Sequence, residues 1–412
     1  THPAAAASPS PQSDDQQLFI GEQIAVAPTR YGKVRGFILR GIYNFRGIPY
    51  GAPASGENRF MPPQPPRPWK GVRPAVAFGD SAPQSFYDRR PESYSMFVDH
   101  WNYDGMSEDC LRLNVWTPGL DGKRRPVLVW LHGGGFARGN GIEQDGYDGE
   151  NIARYGDIVF CSVNHRLGPL GFSDFAGVGG KKYVSSGNAG MLDIVAALEW
   201  VRDNIEAFGG DPQNVTIMGQ SGGGAKVCNL CAMPAAKGLF HKAVALSGNA
   251  TRANSKQYAE ALGSAILREA GLDASQIDSL QHMPWEEYML LAERAAQHLN
   301  GIPGVGQRGG FAPVGDGRDL PDGEFYTGRY STWGTDVPML LCSTFHEWNP
   351  DRDDPELESV TTEDVVGHLT PVFGERAGAI VEAYAKSFPE LRPIELWSVI
   401  VSNRRGVVHT AD

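Results

Sequence analysis

No apolar run in this chain approaches the roughly 18 residues that span a bilayer. Positive charge is also short: 37 Lys and Arg stand against 48 Asp and Glu, a formal net charge of −11. An acidic surface repels nucleic-acid phosphates and anionic lipid heads, so neither partner is expected. Cysteine is sparse and odd in number: Cys110, Cys161, Cys228, Cys231 and Cys342. Five thiols cannot all pair within one chain. Cys228 and Cys231 form a CxxC, but no second CxxC or histidine cluster accompanies it. The surrounding stretch is apolar, so both read as buried helix residues rather than a metal or redox pair. No internal repeat is visible. Glycine and proline are plentiful, 51 and 29 residues, about a fifth of the 412 against roughly 12% in average chains. Long ordered loops follow.

Thr1 to Gln17 is almost wholly Ala, Ser, Pro, Gln and Asp, a composition that cannot bury a core. A disordered leader over 1–18 and a folded domain over 19–412 are therefore expected. The absence of a Met before Thr1-His2-Pro3 fits signal-peptide removal, hence a secreted or periplasmic protein; a mere boundary would look the same.

Gln23–Thr29, Lys33–Leu39 and Ile42–Arg46, separated by Tyr31-Gly32 and Arg40-Gly41, read as a small antiparallel meander. The proline-rich stretch Pro62–Trp69 is too interrupted for an internal element and should follow the surface. Strands are then predicted at Leu111–Trp116, Val127–Leu131 and Ile158–Val163, the last two apolar enough to be covered on both faces. Ile194, Val195, Leu198, Val201 and Ile205 recur at helical spacing between Met191 and Phe208. Strand Val215–Met218, helix Gly224–Met233 and strand Ala243–Leu246 continue the alternation. A helical insertion with Gln257–Ala270 and Trp285–Leu299 precedes strand Met339–Cys342. Such alternation predicts an α/β fold, a mostly parallel sheet with helices on both faces.

Between predicted strand and predicted helix stands Val215-Thr216-Ile217-Met218-Gly219-Gln220-Ser221-Gly222-Gly223-Gly224-Ala225. This is G-x-S-x-G in the context a nucleophile elbow requires. A sharp strand-to-helix turn strains the serine backbone, and side chains at Gly219 or Gly223 would collide with neighbouring strands. The helix start offers free amides and the positive end of a dipole to a developing oxyanion. A second motif, Leu131-His132-Gly133-Gly134-Gly135-Phe136, follows strand Val127–Leu131 directly. Its glycines can aim backbone N–H groups inward with no side chain in the way. Gly134, Gly135 and Gly222 are the expected donors.

These motifs come with others: Phe45–Gly51 (FRGIPYG), Ser107–Val115 (SEDCLRLNV), Val163–Gly168 (VNHRLG), Gly187–Gly190 (GNAG) and Phe208–Pro212 (FGGDP). Together they resemble the type-B carboxylesterase family, the cholinesterase-like branch of the α/β-hydrolases, from about Ala25 onward. The resemblance implies an α/β-hydrolase fold and a serine ester hydrolase with a Ser–Glu–His triad and no cofactor or metal. Gln220 and Gly222 stand where the family usually has Glu and Ala. Loss of the carboxylate at 220 makes a cationic, choline-like alcohol a poor substrate. Cys110 occupies the family's disulfide position, but Ser81–Gln84 lacks the partner, so no bridge is expected there.

By the same resemblance Glu347, just past strand Met339–Cys342, is the triad acid that would orient the histidine and stabilise its imidazolium. His346 precedes it, against the family order. Only His368 and His409 follow. His409 falls in a segment like a family helix that lies before the usual histidine, and His368 looks structural. The expected general base therefore lies outside this chain, on a missing C-terminal segment or a second chain.

In the family, the region of Phe86–Met106 borders the active-site gorge. Tyr87, Tyr94, Met96, Phe97, Trp101 and Tyr103 suggest an aromatic mouth for a bulky or aryl ester, with plain loop packing as the alternative. Lys226 reads as a solvated helix residue, or as an attractor for an anionic substrate. Asn214-Val215-Thr216 and Asn249-Ala250-Thr251 are glycosylation sequons. Two rival functions use the same scaffold: a catalytically silent adhesion protein, and an amidase or carbamate hydrolase.

Overall fold

A computed structural model describes residues 17–85, 105–299, 310–326, 336–348 and 354–404. The N-terminal runs form β1 (Leu18–Phe19), β2 (Val26–Thr29), β3 (Gly32–Arg35), β4 (Phe37–Leu39), β5 (Ile42–Pro49) and β6 (Val72–Pro74). They are not one meander. β2, β3 and β6 make a separate three-stranded sheet, while β1, β4 and β5 join the central one. The break falls at Gly36, where a Cβ would overlap the Asn44 carbonyl and where the amide donates to Ala25 O at 2.9 Å. Only glycine tolerates so close a backbone crossing, so the expected run Lys33–Leu39 changes sheets there.

The alternating middle gives β7 (Arg112–Thr117), β8 (Arg125–Leu131), α1 (Glu150–Gly156), β9 (Val159–Val163), α2 (Gly168–Phe172), α3 (Ala176–Gly179), α4 (Ala189–Asn204), β10 (Gly210–Gln220), α5 (Gly222–Ala232) and β11 (Lys242–Leu246). The insertion supplies β12 (Asn254–Ser255), α6 (Lys256–Glu269), α7 (Ser279–His282), α8 (Trp285–Gln297) and β13 (Val314–Gly315). β14 (Met339–Cys342) then precedes α9 (Thr362–Phe373), α10 (Ala377–Ser387) and α11 (Pro393–Arg404).

Among the described residues the central sheet runs β1-β4-β5-β7-β9-β8-β10-β11-β14, nine strands. From β9 to β14 every pairing is parallel; β1, β4, β5 and β7 are added through antiparallel pairings. This is the α/β-hydrolase architecture expected from the motifs. All five residues of β9 are buried, as its apolar run requires. β10 starts earlier than its apolar pattern suggests, at Gly210, with a register shift before Val215. On α4 the residues Ile194, Val195, Leu198 and Val201 all face the core. The helix ends at Asn204, and one 3-10 turn carries the chain to Gly209, whose φ of +78° needs glycine.

The largest apolar cluster lies on one face of the sheet, against α4 and α5, and a smaller one with Trp116, Ala153 and Phe160 covers part of the other face beside α1. Another, around Tyr258, Ile266, Tyr288 and Ala292, packs α6 on α8, and a further one, with Val365, Leu369, Val381 and Ile400, holds α9, α10 and α11 together. What matters for function is the register. Leu131 lies opposite both Val163 and Gly219, and Gln220 opposite Leu246, itself opposite Cys342. The C-terminal ends of β8, β10, β11 and β14 are level, the side on which open α/β sheets bind ligands.

Candidate active site

The chain leaves β10 at Gln220 and enters α5 at Gly222, so a single residue makes the turn. Ser221 sits at φ 55°, ψ −122°, outside the regions that L-residues favour. Such a conformation costs about 1–3 kcal/mol and persists only where the surroundings enforce it. Here Ser221 N donates to Leu246 O at 2.8 Å, and Ala225 N to Ser221 O at 3.0 Å. Glycine at 223 is obligatory, because a Cβ there would overlap the Leu131 carbonyl of β8. Ser221 is half-buried, and no hydrogen bond to a described residue holds its hydroxyl.

The glycine loop comes up from β8 against this turn. Gly134 and Gly135 adopt φ +82° and +63° and are exposed, while Gly133 is buried. A Cβ built on Gly222 would overlap the backbone nitrogen of Gly135, and one built on Gly133 would lie 3.7 Å from Ser221 Cβ. Among the described residues no acceptor takes the N–H of Gly134, Gly135 or Gly222. Three unpaired amides and an unengaged hydroxyl thus share one edge of the sheet.

Beneath the loop the sequence reading of Lys226 fails. It is not a solvated helix residue: the side chain is 0% exposed. Nζ donates to the carbonyls of His132 and Gly135, both at 2.9 Å. α5 is buried on nearly all sides, so its helical period gives no hint of which face meets water. Burial pulls the Lys226 pKa down to about 7, opposed by the charge of Glu143. His132 and His165 stack nearby, ring centres 5.0 Å apart. Desolvation first, then the Lys226 charge, holds both well below the ordinary imidazole range. Each Nδ1 is paired with the carbonyl of the following residue, Gly133 or Arg166. Neither ring bonds to Ser221.

Glu347 lies just beyond β14, as expected, half-buried, with Oε1 accepting from Thr344 N at 2.6 Å. Its loop is tied to α11 through Trp348 N, which donates to Ser402 Oγ at 2.9 Å, and Trp348 O, which accepts from Ser398 Oγ. A ladder of backbone bonds links β14 to the elbow: Ser247 N to Cys342 O at 2.7 Å, then Ser221 N to Leu246 O. His368 stacks on Trp397, ring centres 4.3 Å apart, between α9 and α11, and Trp397 in turn packs on Trp348 at 5.5 Å; no hydrogen bond joins His368 to Ser221 or Glu347 among the described residues. His409 and the aromatic stretch 86–104 lie outside the described residues. Cys110, Cys161, Cys228 and Cys231 are free, buried thiols, and desolvation pushes Cys231 up to about 12. The side-chain amide of Asn249 is buried with no partner, which argues against its sequon being used.

Comparison with known proteins gives the same picture. The model of the Carboxylesterase family matches residues 23–358. The para-nitrobenzyl esterase of Bacillus subtilis is 41% identical over 334 residues, 80% of this chain and 65% of its own. The phenmedipham hydrolase of Pseudarthrobacter oxydans is 36% identical over 367 residues, 87% of this chain and 69% of its own. A crystal structure of a Geobacillus stearothermophilus carboxylesterase superposes with TM-score 0.76 at 34% identity, covering 94% of this chain and 76% of that one. The chain thus spans about two thirds of the length of these curated relatives.

Proposed function

The chain belongs to the carboxylesterase family, and from that premise we propose that the protein is a serine carboxylic-ester hydrolase working through an acyl-enzyme. Ser221 Oγ attacks the ester carbonyl carbon. The carbonyl oxygen becomes an oxyanion held by the N–H groups of Gly134, Gly135 and Gly222. Collapse of this intermediate expels the alcohol and leaves the acyl group on Ser221; water then attacks and releases the acid. A histidine takes the serine proton and returns it to the leaving alcohol, and Glu347 orients that histidine. The described residues place no histidine against Ser221. That base then lies outside the described residues.

The observation that carries the proposal is the strained φ of 55° at Ser221 directly beside three glycine amides that no described residue accepts from. A silent adhesion protein has no use for such strain, which disfavours that rival. The names of the two curated relatives support an ester with an aromatic portion as the substrate. The test is Ser221→Ala in the complete protein. It should abolish p-nitrophenyl ester turnover and organophosphate labelling, and retained labelling would overturn the assignment. Parallel assays on matched anilide and carbamate substrates separate an esterase from an amidase.

A further inference from the structure

We infer that Lys226 is a positioning residue of the oxyanion hole, strapping the glycine loop to the nucleophile helix so that the two amides between its anchors point at the reacting carbonyl. This rests on the reading of Ser221 as the acyl nucleophile.

The geometry is specific. The two carbonyls that accept from Nζ, those of His132 and Gly135, belong to the peptides joining 132 to 133 and 135 to 136. Between them lie two peptides, which carry the N–H groups of Gly134 and Gly135. The strap therefore pins the outer pair of a four-peptide run and leaves the inner pair with their N–H groups unpaired. Without such anchors a triple glycine is the least constrained backbone a protein can offer, and at φ +82° and +63° the conformation is held by its surroundings. Two hydrogen bonds from one buried amine hold the loop to a single conformer.

Lys226 also sits one turn along the helix whose first residue, Gly222, gives the third donor. One side chain thus spans the two elements that supply the hole and fixes the distance between them. Its anchors are carbonyls rather than a carboxylate, although a buried ammonium is far better served by an ion pair. The pKa near 7 records that sacrifice of solvation. An apolar side chain would fill the same space at less cost, so packing alone does not account for an amine here.

The experiment compares Lys226→Met and Lys226→Arg with the parent in the complete protein. It reads kcat and KM on p-nitrophenyl butyrate, the Ki of an aryl trifluoromethyl ketone, and far-UV circular dichroism. The ketone adds to the serine and places an oxyanion in the hole. Lys226→Met should lose about 10- to 1,000-fold in kcat, the range set by losing up to one oxyanion donor, with KM within about twofold. The ketone Ki should rise by a similar factor, and Lys226→Arg, which keeps N–H donors, should recover part of both. Where Met prevents folding, Lys226→Gln replaces it and is expected to show the same split. Parental kcat and ketone affinity in a folded Met or Gln variant would overturn the strap, as would a loss carried by KM alone. A parent that neither turns over the ester nor takes an organophosphate on Ser221 overturns the hydrolase reading itself.

Discussion

Arg166 and Asp193 form a bidentate ion pair, at 2.6 and 2.8 Å, with neither side chain more than 2% exposed. Asp193 Oδ2 also accepts from the backbone N–H of Arg166 at 3.0 Å, so the carboxylate of α4 clamps the chain just beyond β9. That clamp sets the course of the loop carrying His165, which stacks on the His132 of the glycine loop.

Removing one partner of a buried pair leaves an uncompensated charge. Asp193→Asn should therefore lower unfolding free energy by about 3–5 kcal/mol. Urea denaturation followed by tryptophan fluorescence reads this directly. A midpoint equal to that of the parent would show that the pair contributes little beyond its own desolvation.

Glu347→Gln isolates the charge of the proposed triad acid. The amide oxygen can still accept from Thr344 N, so the loop should hold and the melting temperature should stay within a few degrees. The imidazolium formed during attack loses its counter-charge. By analogy with a triad whose acid becomes an amide, kcat should fall by about 10²- to 10⁴-fold. Unchanged kcat would remove Glu347 from the triad.

Lys226 gives a pH signature with a definite sign. Its folded pKa near 7 lies below the roughly 10.4 of an unfolded lysine, so between these values the unfolded chain holds a proton that the folded chain has lost. Stability then rises with pH across that window, by at most about 1.4 kcal/mol per unit. The groups whose charges act on it are Glu143, His132 and His165, and burial keeps both rings neutral throughout. Measured from pH 6 to pH 9, the melting temperature of the parent should climb relative to that of Lys226→Met. A pH-independent difference would mean the amine does not titrate there.

The legible part of this protein was its local chemistry. Gly219, Ser221 and Gly223 declare a turn between strand and helix because spacing and residue size alone dictate it. Gly133 to Gly135 declare a loop of amides for the same reason. Long-range placement was harder to see. Gly36 switches sheets because of the Asn44 carbonyl, a neighbour that no periodicity reveals. Lys226 looked like an ordinary surface lysine, because a charged side chain on a helix is usually solvated and its two carbonyl acceptors lie some ninety residues earlier in the chain. Glu347 is proposed as the acid through likeness to a family rather than from its own surroundings. The described residues bring no histidine to Ser221.

β8 and β10 are adjacent rungs of one hydrogen-bonded ladder, while β14 lies two rungs from β10, beyond β11. Thermal bending of the sheet displaces serine and glycine loop in common, keeping the attacking oxygen in step with its amides. Glu347, the proposed acid, follows β14, two rungs from β10, and shares less of that motion. Warming should therefore erode proton relay before it erodes the cradle, and an adduct bridging hydroxyl and amides should outlive turnover as the temperature rises.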